Sequence, residues 1–178
     1  MIRMKKPCQI LLLIFVYLAS FTLTVAAQKD SSTTIILVRH AEKDTSVAGS
    51  TTMQADPPLL AAGKIRAEKL VELLKSYPIQ SIFSTKYNRT RSTAIPIAAK
   101  LGVDIQIYDP SKQADLASLL KSWKGKTILI VGHSNTIPGL VNLLTGSSNY
   151  PNLSDNEYDK IFLVRLDGVK SSYQQISY

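Results

Sequence analysis

Two runs of almost wholly β-branched and aliphatic residues, TTIILV at 33–38 and TILIV at 127–131, constrain this chain more than any other feature. Neither alternates polar with apolar, so each suits a strand covered on both faces, as in a parallel sheet with helices packed on either side. The intervening segments supply those helices. Residues 60–77 place Ile65, Leu70, Leu73 and Leu74 at helical spacing among Lys64, Arg66, Glu68, Lys69 and Glu72, and Pro78 stops the run. Asn88 can cap a helix over 89–101 that Gly102 ends, with a kink or late start expected at Pro96. Residues 79–84 and 103–108 read as short strands, 114–123 and 138–144 as helices, and the polar stretch 44–56 as a loop. Residues 160–166 alternate as an edge strand that can pair with the tail near 173–176. Strands alternating with helices at this spacing predict an α/β fold of three layers, α/β/α, around a mostly parallel central sheet.

The first 27 residues stand apart. Arg3, Lys5 and Lys6 precede an apolar run from Ile10 to Val25, and the small residues Ala26 and Ala27 close it. That layout predicts a secretory signal peptide over 1–27, cut before Gln28. An uncleaved anchor is the alternative, although the 16-residue run is shorter than the roughly 20 residues a spanning helix needs. The expected location is therefore outside the cytoplasm, periplasmic or extracellular, and membrane-attached only if the segment is retained. A lipoprotein is excluded because Cys8, the only cysteine, precedes the apolar run.

The formal charge of +8 includes three basic residues of that segment; 28–178 keep 18 Lys and Arg against 13 Asp and Glu, or +5. These charges are scattered, with no basic run interleaved with aromatics, so nucleic acid is not an expected partner. With no cysteine after Cys8, disulfides, a thiolate nucleophile and a thiolate metal site drop out of 28–178.

In open sheets of this type, ligands bind outside the carboxyl ends of the strands. The chain's two histidines both fall there: the first strand runs into Arg39-His40, with Glu42 and Lys43 behind, and the run at 127–131 leads into Gly132-His133-Ser134-Asn135. The second strand leads to Arg89 and Arg91, and the third to Tyr108-Asp109. Cations gathered on one rim imply an anionic ligand, and phosphate matches the fork of an arginine. A neutral imidazole can attack phosphorus and carry it covalently. A zinc site built from the histidines and Asp44, Asp56 or Asp109 is disfavoured, because Arg39 and Lys43 would repel the metal and no closely spaced ligand pair exists. No metal and no cofactor are expected.

These motifs together resemble the histidine phosphatase superfamily, the phosphoglycerate-mutase-like group. Arg39-His40-Ala41 is similar to its Arg-His motif, Ser84 with Arg89 to Ala94 to its Ser and Arg-x-x-x-Thr-Ala motif, Gly132-His133 to its late Gly-His motif, and residues 59–63 to its Leu-Thr-x-x-Gly helix start. The likeness implies a histidine phosphatase domain over 28–178, with His40 as nucleophile and His133 beside it. It assigns phosphate binding to Arg39, Lys43, Arg89 and His133. The implied activity is metal-independent hydrolysis of phosphate monoesters through a phosphohistidine, the reaction class of histidine acid phosphatases. A phosphorylated small molecule or an envelope phosphosugar is the implied substrate. The acid that protonates the leaving group departs from the family pattern: Asp109 is the expected candidate, with Glu42 or water as alternatives. A phosphomutase and a non-catalytic phosphate- or phosphoglycan-binding module remain the competing readings.

Overall fold

The computed structural model describes residues 31–46 and 56–178; the expected signal peptide at 1–27 lies outside them. Its elements are β1 (Thr33–Arg39), α1 (Ala61–Leu74), β2 (Ser81–Ser84), α2 (Asn88–Leu101), β3 (Ile105–Ile107), α3 (Gln113–Ser122), β4 (Thr127–Gly132), α4 (Thr136–Thr145), β5 (Lys160–Asp167) and β6 (Lys170–Ser177). They build one six-stranded sheet in the order β3-β2-β4-β1-β5-β6. The first four strands in that order run parallel, while β5 is antiparallel to β1 and β6 to β5. The expected α/β class holds, with a mixed sheet. The strand at 160–166 is not an edge, as its alternation suggested: it lies between β1 and β6, and the polar β6 takes the edge.

The two apolar runs behave as their composition requires. Ile35 and Leu37 of β1 and Ile128 and Ile130 of β4 pack with Leu116, Leu120, Leu140 and Leu144 of α3 and α4. Ile36, Val38, Leu129 and Val131 turn the other way, onto Leu70 and Leu74 of α1 and Ile97 of α2. Each such side chain, wholly withdrawn from water, contributes about 1.5–3 kcal/mol. Covering both faces leaves only the strand ends exposed to ligands.

Helix α1 buries Gly63, Ala67, Leu70 and Leu74, not the expected stripe through Ile65, which is 70% exposed. The inward position belongs to Gly63 because α1 presses onto the chain just after β1. A Cβ at Gly63 would overlap the Glu42 carbonyl oxygen and stand 3.0 Å from the Glu42 nitrogen. Gly63→Ala should therefore destabilise by about 1–3 kcal/mol, although alanine at an unconstrained helical site would stabilise by about 1 kcal/mol. The sign of the change in urea unfolding decides between the two effects.

Helix α2 starts at Asn88 and continues through Pro96 without the expected late start. Its N-terminus is capped from a distance: the Asn88 amide donates to Asp56 Oδ1 at 2.6 Å.

Candidate active site

Three parallel strands end within one residue of one another, since Arg39 lies opposite Gly132 and Ser84 opposite Val131. The next residues, His40, Thr85 and His133, emerge side by side. The two imidazole centroids are 5.5 Å apart, edge to face, and Thr85 Oγ1 lies 3.0 Å from His133 Nε2. Glycine before His133 lets three side chains close in on the strand end, since a Cβ at Gly132 would meet the Tyr108 hydroxyl at 2.7 Å, Ile137 Cδ1 at 2.8 Å and Thr136 Oγ1 at 2.9 Å. A cleft of about 410 Å³ opens over this rim, lined by Arg39, His40, Lys43, Thr45, Arg89, His133, Ser134, Asn135, Asp155, Asn156 and Tyr158. The five residues expected to hold and transfer phosphate thus share one site.

His40 is held in one tautomer. Its Nδ1 lies 2.8 Å from the Ala41 carbonyl oxygen. A carbonyl only accepts, so Nδ1 carries the proton and the neutral ring keeps its lone pair on Nε2. The Ala41 amide donates to Thr93 Oγ1 at 2.9 Å, and that hydroxyl donates to the Arg89 carbonyl at 2.8 Å. Helix α2 thereby fixes the peptide that orients the His40 ring. On the other ring, Thr90 Oγ1 lies 2.8 Å from the Tyr87 carbonyl and 2.7 Å from Thr85 Oγ1. With the Thr90 proton on that carbonyl, Thr85 donates to Thr90 and accepts from His133 Nε2–H.

The cations are preorganised by aromatic rings. The Arg39 guanidinium lies 4.0 Å from the Tyr158 ring centroid and that of Arg89 4.5 Å from Tyr87. Arg89 also pairs with Asp56 at 3.8 Å. Arg39 Nη1 donates to the carbonyls of Ser154, Asp155 and Glu157 at 2.7, 3.2 and 3.1 Å. Its Nε is buried with no hydrogen-bond partner among the described residues. Leaving such a donor unsatisfied costs about 1–3 kcal/mol, which an anionic oxygen in the cleft would relieve. Ser134 and Asn135 bring the N-terminus of α4 to the same cleft, adding favourable dipole for an anion.

Two expectations are corrected. Asp109 does not line the cleft; its Oδ1 accepts the Ser111 hydroxyl at 2.7 Å and amide at 2.9 Å, closing the exposed turn between β3 and α3. Those hydrogen bonds hold its carboxyl below the usual range, the wrong direction for a proton donor. Glu42 is also absent from the lining, because Arg66 clamps it with Nε at 3.0 Å and Nη2 at 2.7 Å. The Ser84 hydroxyl donates to the Thr85 carbonyl, and the hydroxyl beside His133, which sequence reasoning missed, belongs to Thr85. Reading Thr85 as the residue one past its strand, like both histidines, would have found it. Tyr87 and Tyr158 gave no comparable signal. Among the described residues, no three or more His, Cys, Asp or Glu side chains stand together as a metal site.

Burial pushes His40 down to about 3, with His133, Arg39 and Arg89 adding repulsion. Burial also pushes His133 down to about 4, reinforced by Arg89, Arg39 and Lys43. Both rings are neutral near pH 7. Below the ordinary value of 6.5, the unfolded chain binds protons that the folded chain refuses, so stability falls with pH until the folded rings titrate at about 3 to 4. Two such groups should remove on the order of several kcal/mol between pH 7 and 4. Urea titrations at both pH values check this, and inorganic phosphate should recover part of the loss by favouring the charged rings.

Comparison with known proteins shows what this chain is similar to. Residues 35–110 match the model of the histidine phosphatase superfamily (branch 1). The comparisons support that superfamily. Among curated relatives, a probable phosphatase of Schizosaccharomyces pombe is 31% identical over 97 residues, covering 54% of this chain and 34% of that protein. The probable phosphoglycerate mutase GpmB of Proteus mirabilis is 40% identical over 76 residues, covering 43% of this chain and 35% of that one. This chain thus spans about a third of those two relatives. Solved structures give the fold over nearly their whole length. The protein histidine phosphatase SixA, complexed with tungstate, superposes with a TM-score of 0.64 at 18% identity, covering 81% of this chain and 96% of that one. A mycobacterial glucosyl-3-phosphoglycerate phosphatase does so at 0.64 and 14% identity, covering 83% and 98%. The architecture is shared with these two structures.

Proposed function

We propose that this chain is a metal-independent phosphatase that hydrolyses phosphate monoesters through a phosphohistidine on His40. One observation carries the reading: a neutral imidazole with its lone pair fixed on Nε2 stands 5.5 Å from a second imidazole, in a cleft lined by Arg39, Lys43 and Arg89. The three cations bind the phosphoryl oxygens and stabilise the charge that spreads over them during transfer, and His133 joins them when the bound anion draws a proton onto its free ring nitrogen. His40 Nε2 attacks phosphorus, the ester oxygen leaves, and water then attacks the phosphohistidine to release phosphate and restore the ring. Hydrolysis is favoured over return of the phosphoryl group to the substrate, because Thr45, Asn135, Asp155 and Asn156 of the rim are exposed and admit water.

The layout of 1–27 supports an activity outside the cytoplasm, with a phosphorylated small molecule or an envelope phosphosugar as substrate. A neighbour in fold is titled a glucosyl-3-phosphoglycerate phosphatase, which agrees with a phosphosugar. The chain lacking residues 1–27 should turn over p-nitrophenyl phosphate in the presence of chelator. Rapid quenching should trap a phosphoenzyme that is labile to acid and stable to base. Turnover without that intermediate would sink the covalent route, and phosphate binding without turnover on a broad panel of esters would favour the binding-module reading.

A further inference from the structure

Transfer to His40 leaves one chemical requirement unmet. An in-line displacement puts the leaving oxygen on the far side of phosphorus from the attacking nitrogen. His40 is 4% exposed and forms the floor, so the leaving oxygen faces the mouth of the cleft. An alkoxide leaving there needs a proton, and neither carboxylate expected to supply it lines the cleft. Among the described residues of the lining, the one carboxylate is Asp155, and the stretch 47–55, VAGSTTMQA, contains no acidic residue.

Asp155 is presented by a braced turn. The Ser154 amide donates to Glu157 Oε2 at 2.7 Å, the Glu157 amide to the Ser154 carbonyl at 3.1 Å, and the Leu153 amide to the Ser134 carbonyl at 2.9 Å. Arg39 Nη1 holds the Ser154, Asp155 and Glu157 carbonyls from below. The Asp155 carboxylate acts electrostatically on both Arg39 and Lys43, so it stands on the cationic side of the exposed rim.

We infer that Asp155 is the acid–base residue of the reaction, protonating the leaving alcohol and then deprotonating the attacking water; this rests on the phosphohistidine reading above. In the first step the His40 Nε2–P bond forms, the P–O ester bond breaks with its electron pair on oxygen, and that oxygen takes the proton of the Asp155 carboxyl. In the second, water attacks phosphorus, its proton goes to the Asp155 carboxylate, and the N–P pair returns to His40. The acid thus comes from the turn before β5, on the other side of the central strands β4 and β1 from β3 and Asp109.

The test is the dependence on leaving group. Asp155→Asn should lower kcat/KM for glycerol phosphate, whose alkoxide needs the proton, by about 100-fold or more. Its kcat/KM for p-nitrophenyl phosphate, whose phenolate leaves as a stable anion, should change by less than about fivefold, because the protonation being lost is the one that leaving group does not use. That substrate should instead show a stoichiometric burst and a slow steady state, since the water step loses its base. Asp155→Glu should recover part of the alkyl activity, and Asp109→Asn should leave both substrates unaffected. Equal losses on both esters would overturn the inference in favour of a structural role for the turn, and no loss on either would overturn it outright. Failure of the underlying reading looks different: wild-type protein then forms no phosphoenzyme on His40.

Discussion

His40→Ala should lose phosphatase turnover by about 10⁴-fold or more while remaining folded near pH 7. The loss follows from removing the attacking nitrogen on which the proposed covalent route depends, a lone pair held in place by the Nδ1 hydrogen bond to the Ala41 carbonyl. A factor of 10⁴ corresponds to about 5.5 kcal/mol of transition-state stabilisation. His133→Ala should cost less, because that ring binds charge and does not form the bond to phosphorus. The same substitution at His40 carries an opposite signature in stability. The wild-type ring is held down to about 3 by burial and surrounding positive charge, so it destabilises the folded chain as pH falls below 6.5. Without it, the slope of unfolding free energy against pH should flatten between about pH 6 and 4. An inactive variant that tolerates acid better than its parent would separate a chemical role for His40 from a role in folding. Inactivity with an unchanged slope would show that the ring is less buried than its 4% exposure implies.

The fold was legible because its central strands are buried on both faces, and that condition leaves a mark: unbroken apolar runs at 33–38 and 127–131. The position of β5 was hidden for the converse reason. Its alternating pattern is that of a strand with one wet face, which edge and interior antiparallel strands share. Ile65 misled because a hydrophobic residue at helical spacing says nothing of how closely the helix approaches its neighbour, whereas the contact of Gly63 with Glu42 set the buried face. In the site, the residues that follow strand ends could be read, and these were His40, Arg39 and His133. What escaped were residues brought in by long connections. Tyr158 and Asp155 are more than a hundred positions from Arg39 and meet it only through a turn braced by backbone carbonyls. No local pattern encodes that contact. Asp109 attracted the acid role by following a strand, yet the Ser111 hydrogen bonds that make it a good turn residue remove it from the chemistry.

Arg39 should prove the least replaceable cation of the cleft, with Arg39→Lys losing about 100- to 1000-fold in kcat/KM in spite of its retained charge. One guanidinium performs three tasks here. Its Nη1 binds the carbonyls of Ser154, Asp155 and Glu157, its plane lies 4.0 Å from the Tyr158 ring centroid, and its buried Nε awaits an acceptor. An ammonium has neither the planar fork nor a second donor at a fixed angle, so it can serve the turn or the phosphate but not both. Arg39→Ala should in addition lower stability by on the order of 2 kcal/mol, since charge-assisted hydrogen bonds to the 154–157 turn are lost together. Arg89 makes a different case: it pairs with Asp56 and lies against the Tyr87 ring at the start of α2, so Arg89→Lys should weaken phosphate binding while leaving the 154–157 turn, which Arg39 holds, in place. Thermal shifts with inorganic phosphate distinguish the two. Arg39→Lys should lower the melting temperature without ligand and blunt the shift, whereas Arg89→Lys should blunt the shift alone. Identical behaviour of the two variants would mean that Arg39 is only a phosphate contact, and that the turn carrying Asp155 is held by other means.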